Sequence, residues 1–240
     1  MPDPVDHRFY GRRISRPLRR GQALLQAELL PRLRIALPDT AAGAEPPTLD
    51  PQTLFPALPV GSPIWLEIGF GGGEHLAAQA SHNPSIGIIG CEVFVTGVAK
   101  LLHHIAEGGQ SNIRIHDDDA RPLLTRLPRS CLSRVFILFP DPWPKKRHHR
   151  RRIINPDTLN QLARLMIPGA ELRLATDDPL YQLAMLEVFS RHPDFLWTAR
   201  RPEDWLVRPP DWPETRYENK AIAAGRTPWF FSLIHCPQTV

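Results

Sequence analysis

Long apolar runs are absent from the sequence, and this absence excludes one class of protein. No run approaches the roughly 20 residues that a membrane-spanning helix needs, so we expect a soluble protein without a membrane partner. The first residues, MPDPVDHRFYGRR, lack the apolar segment of a secretory signal, which predicts a cytoplasmic location. The three cysteines, Cys91, Cys131 and Cys236, are too few and too widely spaced for a disulfide framework or a zinc site, so we expect no metal.

Positive charge is in modest excess but unevenly spread. The 240-residue chain has a formal net charge of +4, and its 42% hydrophobic and 22% charged residues are an ordinary globular mixture. Six arginines lie within Arg8–Arg20, interleaved with Phe9 and Tyr10, and Lys145–Arg152 holds six Lys or Arg and two His. Two such blocks favour a partner with a phosphate backbone, although either block alone fits a solvated surface equally well.

Proline marks the expected division of the chain. Seven prolines lie from Pro38 to Pro63, and the apolar residues of this region follow no sustained periodicity. We therefore predict that residues 36–62 form a linker or a long loop. A short helix is expected over residues 20–34. We therefore predict a basic N-terminal arm and proline-rich linker over residues 1–62, and an ordered domain over residues 63–240.

From Pro63 onward, short apolar runs alternate with helical patterns. We predict strands over Ile64–Ile68, Ile86–Cys91, Ile113–His116, Val135–Phe139 and Glu171–Ala175. We predict helices over Glu74–Ala80, Val98–Ile105, Asp157–Met166 and Leu180–Phe189. This alternation predicts an α/β fold with a mostly parallel, doubly wound sheet and helices on both faces. Ligands of such sheets bind beyond the carboxyl ends of the strands.

The first predicted strand runs into a glycine-rich loop that acidic residues flank. Glu67 precedes Gly69 and Gly71, and Glu74 follows them. Two carboxylates would repel a pyrophosphate but suit a cationic ligand such as S-adenosylmethionine. The pattern E-x-G-x-G-x-G is similar to the first motif of Rossmann-like methyltransferases, and a purely structural turn is the alternative.

Acidic residues also follow the next two strands. Glu92 comes about 20 residues after the glycines, where a carboxylate can accept hydrogen bonds from both ribose hydroxyls. Asp119 ends the third strand and can receive an adenine amino group. Helix N-capping is the alternative for these aspartates, and we prefer it for Asp117 and Asp118.

The fourth strand leads into Asp141-Pro142-Trp143, which looks like the D/N-P-P-Y/F/W turn of amino methyltransferases. The flanking prolines restrict the backbone of Asp141. Trp143 offers a face on which a base can stack, and the basic residues that follow can hold phosphates. The alternative for Trp143 is an aromatic side chain packed within a loop.

The string FPDPWPKKRHHRRRI resembles the signature P-D-P-W-x-K-x-R-H-x-K-R-R of the bacterial tRNA (guanine-N7-)-methyltransferases. The resemblance extends through LEIGFGGGEHL, GCEVFVTGV, DDDARPLL, LRLATDD and TRYENKAIAAGRTPW, and covers roughly residues 63–235. It implies a class I methyltransferase fold for the domain at residues 63–240. It also implies an enzyme that transfers a methyl group from S-adenosylmethionine to N7 of a guanosine in the tRNA variable loop.

The resemblance implies a role for individual residues. The implied cofactor-binding residues are Glu67, Gly69, Gly71, Glu92, Asp119 and Asp141, with Asp141 also catalytic. The implied substrate-binding residues are Lys145, Asp177, Thr215, Arg216, Tyr217 and Glu218. The implied RNA-binding residues are Arg147, His148, His149, Arg150, Arg151 and Arg152.

Guanine N7 has a free lone pair, so the reaction requires no base, and we expect positioning to dominate catalysis. We expect Asp141 to orient the guanine, and Asp177 or Glu218 to accept hydrogen bonds from its N1 and N2. Two alternatives stay open: a methyltransferase acting on an exocyclic base amine, and a non-catalytic RNA-binding protein with a vestigial cofactor pocket. A monomer and a homodimer are both compatible with the sequence.

Overall fold

The computed structural model describes residue 13, residues 17–39 and residues 44–238. Most of the predicted N-terminal basic block, including Arg8, Phe9, Tyr10 and Arg12, lies outside the described residues. None of the helices in the described part of the chain combines the length and apolar character needed to cross a membrane.

One mixed sheet organises the described residues. Its strands are β1 (Ile64–Ile68), β2 (Gly87–Cys91), β3 (Ile113–His116), β4 (Leu132–Leu138), β5 (Met166–Thr176), β6 (Phe195–Trp197) and β7 (Trp229–His235). Their order across the sheet is β3-β2-β1-β4-β5-β7-β6. The first five strands pair in parallel, and β7 pairs antiparallel with both β5 and β6.

Helices connect these strands and precede them. They are α1 (Arg20–Glu28), α2 (Leu30–Leu33), α3 (Glu74–His82), α4 (Val95–Gly108), α5 (Ala120–Arg126), α6 (Pro156–Leu165), α7 (Pro179–Ser190), α8 (Glu203–Leu206) and α9 (Arg216–Ala223). The predicted strands and helices are all present, with ends shifted by a few residues. The sequence interpretation did not include α5, α8, α9 or the two C-terminal strands.

The core lies in two layers, one on each face of the sheet. Along β1, Leu66 belongs to the layer that contains α5, α6 and α7, and Trp65 belongs to the layer that contains α3 and α4. This alternation arises because successive strand side chains point to opposite faces. The predicted mostly parallel sheet with helices on both faces is therefore confirmed.

Residues before Pro63 also contribute to the core. Leu30 of α2 is 1% exposed and packs with the α4 layer, whereas Phe55 is 3% exposed and packs with the opposite layer. Arg34 forms an isolated parallel bridge to Ile115 of β3. The boundary between residues 62 and 63 stays a prediction, but part of the predicted arm and linker lies against the sheet.

Side-chain caps fix the helix starts at the edge of the sheet where the site lies. Asn155 accepts a hydrogen bond from the Thr158 amide at 2.9 Å and begins α6, with Pro156 in the first turn. Asp178 accepts from the Tyr181 amide at 2.8 Å and begins α7. Thr215 begins α9 in the same way.

Candidate functional site

A cavity of about 360 Å³ opens at the carboxyl ends of β1, β2, β3 and β4. Residues that follow each of these four strands contribute to its wall, as the fold predicts. The lining residues on which the chemistry depends are Gly69, Gly71, Glu92, Asp119, Asp141, Trp143 and Tyr217. Five of the six residues predicted to bind the cofactor thus line one cavity.

The glycine loop has a backbone that requires glycine. Gly69 and Gly71 have φ angles of +75° and +58°, in the left-handed region that other residues rarely adopt. A Cβ at Gly71 would also lie 2.8 Å from Cε2 of Tyr217. The loop therefore passes directly under the Tyr217 ring, and its backbone forms one wall of the cavity.

Glu92 is held by the backbone of the cavity wall. Its Oε2 accepts from the Gly71 amide at 2.7 Å, and its Oε1 accepts from the amides of Val93 and Phe94, each at 2.9 Å. Burial raises the pKa of the Glu92 carboxyl above its ordinary value. The three hydrogen bonds oppose this shift by lowering the pKa, and the nearby charge of Asp141 adds to it. The carboxylate is therefore fixed in place and shielded from solvent.

The three aspartates after β3 have different partners, which differ from those predicted. Asp119, rather than Asp117 or Asp118, caps α5, accepting from the Arg121 amide at 2.9 Å and from Arg121 Nη1 at 2.7 Å. Asp117 forms a bidentate ion pair with Arg34 at 2.8 and 2.6 Å. Asp118 forms an ion pair with Arg13 of the N-terminal basic block. The preference for capping by Asp117 and Asp118 was wrong because arginines distant in sequence reach both carboxylates.

Asp141 lies at the mouth of the cavity in a strained turn. Phe139 and Trp143, on either side of the Pro-Asp-Pro segment, have φ angles of +50° and +46°. Such values are uncommon for bulky residues and are maintained only where surrounding contacts enforce them. The Asp141 side chain is exposed, but the nearby protein partly desolvates the carboxyl and raises its pKa.

The negative charges of the cavity carboxylates raise the pKa values of two neighbouring side chains. The pKa of the Tyr217 hydroxyl is raised first by burial and then by the charges of Glu92, Asp141 and Glu74. The pKa of the Cys91 thiol is raised by burial and by the charges of Asp119 and Glu92, so this thiol is neutral and unreactive. Arg121 and Arg151 also line the cavity, and Arg121 pairs with Asp119, so Glu92 and Asp141 are the carboxylates most available to a ligand that carries positive charge.

Trp143 lies between the cavity and the basic block. The Arg151 guanidinium lies over its ring at 5.0 Å from the centroid, and the His148 ring meets it edge-on at 5.8 Å. Trp143 and Arg151 both line the cavity. Trp143 is therefore packed by Arg151 and His148, as the alternative of a packed loop aromatic predicted, and it also borders the cavity.

The basic block forms a short 3₁₀ helix over Lys146–Arg151, which the sequence interpretation did not include. Lys145, Arg147, His149 and Arg150 are exposed, as a role in phosphate binding requires. Arg152 differs: it is 6% exposed, and its Nε donates to the Pro142 carbonyl at 2.8 Å. Its side chain presents almost no surface to an RNA.

Glu67 is not among the lining residues of the cavity. It is 2% exposed, and its Oε2 bonds to His75 Nδ1 at 2.7 Å on the face of β1 opposite Leu66. Phe136 and Trp212 pack around His75. Because strand residues alternate between faces, the residue before a glycine loop can lie beneath the loop instead of pointing into the cavity.

The two predicted acceptors for guanine N1 and N2 each bind an arginine. Asp177 Oδ2 accepts from Arg226 Nε at 2.6 Å, and Glu218 Oε1 accepts from Arg208 Nε at 2.9 Å. Glu218 is buried, whereas Tyr217 is exposed and lines the cavity. Of the predicted substrate-binding residues, the structure brings Tyr217 to the cavity wall and leaves Lys145, Asp177 and Glu218 outside it.

Gly97 and Arg121 also shape the cavity, and the sequence interpretation did not identify them. A Cβ at Gly97 would overlap the carbonyl oxygen of Gly71, so this glycine allows α4 to approach the loop. A glycine inside an apolar helical pattern is a usable signal for such close packing. No comparable pattern distinguished Arg121 from the other arginines.

Comparisons with known proteins agree with this geometry. Residues 61–231 match a family model described as "Putative methyltransferase". The tRNA (guanine-N7-)-methyltransferase of Rhodospirillum rubrum is 52% identical over 233 residues, which cover 97% of this chain and 89% of that protein. The protein of the same description from Ruegeria pomeroyi is 47% identical over 233 residues, covering 97% and 96%.

Two solved structures share the fold at low sequence identity. An rRNA methylase from Streptococcus thermophilus has a TM-score of 0.52 and 13% identity, with 73% of this chain and 88% of that chain covered. The 16S rRNA (adenine(1408)-N(1))-methyltransferase from Catenulisporales acidiphilia has a TM-score of 0.52 and 15% identity, with 84% and 100% covered. The prediction of a Rossmann-like class I methyltransferase fold is confirmed.

Proposed function

The chain belongs to the family of tRNA (guanine-N7-)-methyltransferases, and we propose that its target is a guanosine in the variable loop of tRNA. As a member of this family it is an S-adenosylmethionine-dependent enzyme that methylates N7 of guanine in tRNA. The observation that carries the residue assignments is the position of the Asp141–Trp143 turn. This turn borders the acidic cavity on one side and the exposed basic residues on the other.

The residues of the cavity fit S-adenosylmethionine. A volume of about 360 Å³ is within the usual range for small-molecule sites. The glycine backbone permits close approach, and the clustered carboxylates match a sulfonium and an ammonium group. When bound, the cofactor supplies an activated methyl group. We assign Glu92 to the ribose hydroxyls, Asp119 to the adenine amino group, and Asp141 to the mouth where methyl transfer occurs.

Glu67 acts through the loop in this proposal. Its carboxylate bonds to His75 of α3, and the glycine loop lies between these two residues in sequence. The pair therefore joins the end of β1 to the helix that follows the loop. We assign Glu67 to holding the loop in shape, and Gly69 and Gly71 to the direct backbone contact with the cofactor.

The guanine is positioned rather than activated. Its N7 lone pair attacks without loss of a proton, so the site needs an oriented acceptor base and a field that favours positive charge on the purine. Asp141 provides that field, and Trp143 and Tyr217 flank the cavity near it. The carboxylates of Asp177 and Glu218 are held by Arg226 and Arg208, so guanine N1 and N2 must share or displace an arginine to reach them.

The tRNA backbone is held by the exposed part of the basic block. Arg147, His149 and Arg150 present their side chains to solvent beside the cavity mouth, and Lys145 precedes them. Phosphate contacts of this kind fix the orientation of a nucleic acid without reading its sequence. We place the reaction in the cytoplasm, where tRNA is found, with the protein acting as a monomer or a homodimer.

The test is transfer of labelled methyl from S-adenosylmethionine to unmodified tRNA transcripts, followed by borohydride–aniline cleavage at N7-methylguanosine. We expect cleavage at one variable-loop guanosine and none in a transcript with that base replaced by adenosine. Label without cleavage would move the target to another atom, such as an exocyclic amine. Binding of both cofactor and tRNA without transfer would support the non-catalytic alternative.

A further inference from the structure

We propose that Arg152 is a positioning residue that holds Asp141 at the cavity mouth, and that it does not bind tRNA phosphate. The inference rests on the proposed function, because it assigns a task within that reaction. It separates Arg152 from the two arginines that directly precede it in sequence, which have different surroundings.

Arg152 is connected to the turn that contains Asp141. Its Nε donates to the carbonyl oxygen of Pro142 at 2.8 Å, and Pro142 follows Asp141 directly. Arg152 is 6% exposed and Pro142 is half-buried, so the donor side of this hydrogen bond is largely shielded from water. A charge-assisted hydrogen bond in such surroundings is stronger than a neutral one and has a defined direction.

The other side of Arg152 rests on a rigid support. Its guanidinium lies 4.7 Å from the centroid of the Tyr181 ring, and Tyr181 is fully buried. The Tyr181 hydroxyl accepts from the Ile154 amide at 3.1 Å, which ties the same tyrosine to the chain just after Arg152. Tyr181 lies in the first turn of α7, where Asp178 caps the helix. A buried path therefore leads from α7 through Arg152 to Pro142.

The turn requires such support because its backbone is strained. Phe139 and Trp143, which flank the Pro-Asp-Pro segment, both have positive φ angles. Residues in this region persist only where neighbouring contacts enforce the conformation. The Phe139 amide is bonded to the Ala175 carbonyl at 2.8 Å, which holds the start of the turn. The Arg152 bond to Pro142 holds the turn near its other end, and Asp141 lies between the two.

Adjacent arginines allow a matched test. Arg150 is exposed, whereas Arg152 is buried. Replacement by methionine removes the guanidinium group at either position and keeps an unbranched side chain. The variants Arg152→Met and Arg150→Met are compared by kcat, by KM for tRNA, and by the slope of tRNA affinity against salt concentration. Thermal unfolding of each purified variant is measured alongside.

We expect the two substitutions to affect different quantities. Arg152→Met should lower kcat by up to about 100-fold, because misplacement of a reacting geometry by an ångström can cost that much, and should leave the salt slope at its wild-type value. Arg150→Met should raise KM for tRNA and reduce the salt slope by about 0.7–0.9, the change for one lost phosphate contact. A reduced salt slope with normal kcat in Arg152→Met would overturn the inference.

A second variant covers the case in which Arg152→Met does not fold. Arg152→Lys retains the positive charge but lacks the planar fork that both stacks on Tyr181 and donates to Pro142. It should keep the salt slope and still lose turnover, and normal turnover in this variant would refute the positioning role. If the wild-type protein itself transfers no methyl group to guanine N7, the proposed function fails, whatever the variants do.

Discussion

Gly97 is the position where one added methyl group tests the proposed cofactor cavity most directly. It is buried in the first turn of α4, and a Cβ there would overlap the Gly71 carbonyl oxygen well inside 3.0 Å while lying 3.2 Å from Glu92 Cγ. The carbonyl belongs to the backbone, so it cannot rotate away as the end of a side chain would. Gly97→Ala must therefore displace the glycine loop, α4, or both.

The size of the effect follows from that displacement. An ordinary van der Waals contact needs a separation of roughly 3.5 Å, so the loop must withdraw by on the order of 1 Å. A shift of this size in a preorganised site costs up to about 100-fold, and overpacking should lower the free energy of unfolding by about 1–3 kcal/mol. Gly21→Ala is the matched control, because Gly21 also lies in the first turn of a helix and nothing stands within 4 Å of its added Cβ.

Isothermal titration with S-adenosylmethionine and thermal unfolding measure the two effects separately. We expect Gly97→Ala to bind the cofactor about 10- to 100-fold more weakly, and Gly21→Ala to bind as the wild type does and unfold at the same temperature or slightly higher. Wild-type cofactor affinity in a destabilised Gly97→Ala protein would refute the reasoning, because the displaced loop would then not border the cofactor.

Three further predictions follow from the site. Asp141→Asn should lower kcat far more than tRNA affinity, since the carboxylate favours positive charge on the purine; single-turnover assays and filter binding measure both, and equal losses would contradict that role. Joint replacement of Arg147 and Arg150 by glutamine should reduce the salt slope of tRNA binding by about 1.4–1.8, for two phosphate contacts, and an unchanged slope would place these side chains away from the RNA. The pKa of the Glu92 carboxyl is raised by burial, so Glu92 takes up a proton at a pH above the ordinary glutamate range and its charge is lost as the pH falls through that raised value; calorimetric cofactor affinity should therefore decline there, and the decline should be smaller in Glu92→Gln, in which Asp141 still titrates with a raised pKa.

The sequence was sufficient to predict which residues lie at the cavity wherever position along a strand determines location. Glu92 and Asp119 follow two parallel strands, and the parallel arrangement brings both to the same edge as the glycine loop. The Asp141 turn follows β4 and reaches that edge for the same reason. These predictions needed only the strand pattern and the handedness of the connections, which are local or general properties.

Partners distant in sequence were beyond such reasoning. Arg152 and Arg150 belong to one basic run, yet Tyr181 of α7 buries the first and the second stays exposed. Asp177 and Glu218 were expected to be available to guanine, but Arg226 and Arg208 bind them. Composition and periodicity predict neither the burial of Arg152 nor these ion pairs, because each depends on how separate elements pack together.

The antiparallel strands β6 and β7 were missed for a related reason. The run Trp229–His235 is apolar enough for a buried strand, but its place in the sheet is set by pairing with β5, more than 50 residues earlier in the chain by the register Glu171 to Ile234. An alternating strand–helix pattern predicts parallel neighbours and gives no signal for a strand that inserts between β5 and β6.

Most charges of opposite sign lie on different sides of the Asp141–Trp143 turn: the carboxylates line the cavity, where Arg121 and Arg151 also lie, and the exposed Arg147 and Arg150 lie outside it. Under the proposed assignment, the cavity carboxylates would repel phosphates and the exposed arginines would repel a sulfonium, which would direct each ligand to its own side of the turn. Salt should therefore weaken tRNA binding strongly and cofactor binding weakly, because Glu92 and Asp119 are buried whereas Arg147 and Arg150 are exposed. Acidification should weaken cofactor binding, because the pKa values of the Glu92 and Asp141 carboxyls are raised by burial and both groups therefore lose their charge at a higher pH than an ordinary carboxyl. The turn contacts both sides, so a change that loosens it should impair methyl transfer without removing either binding step.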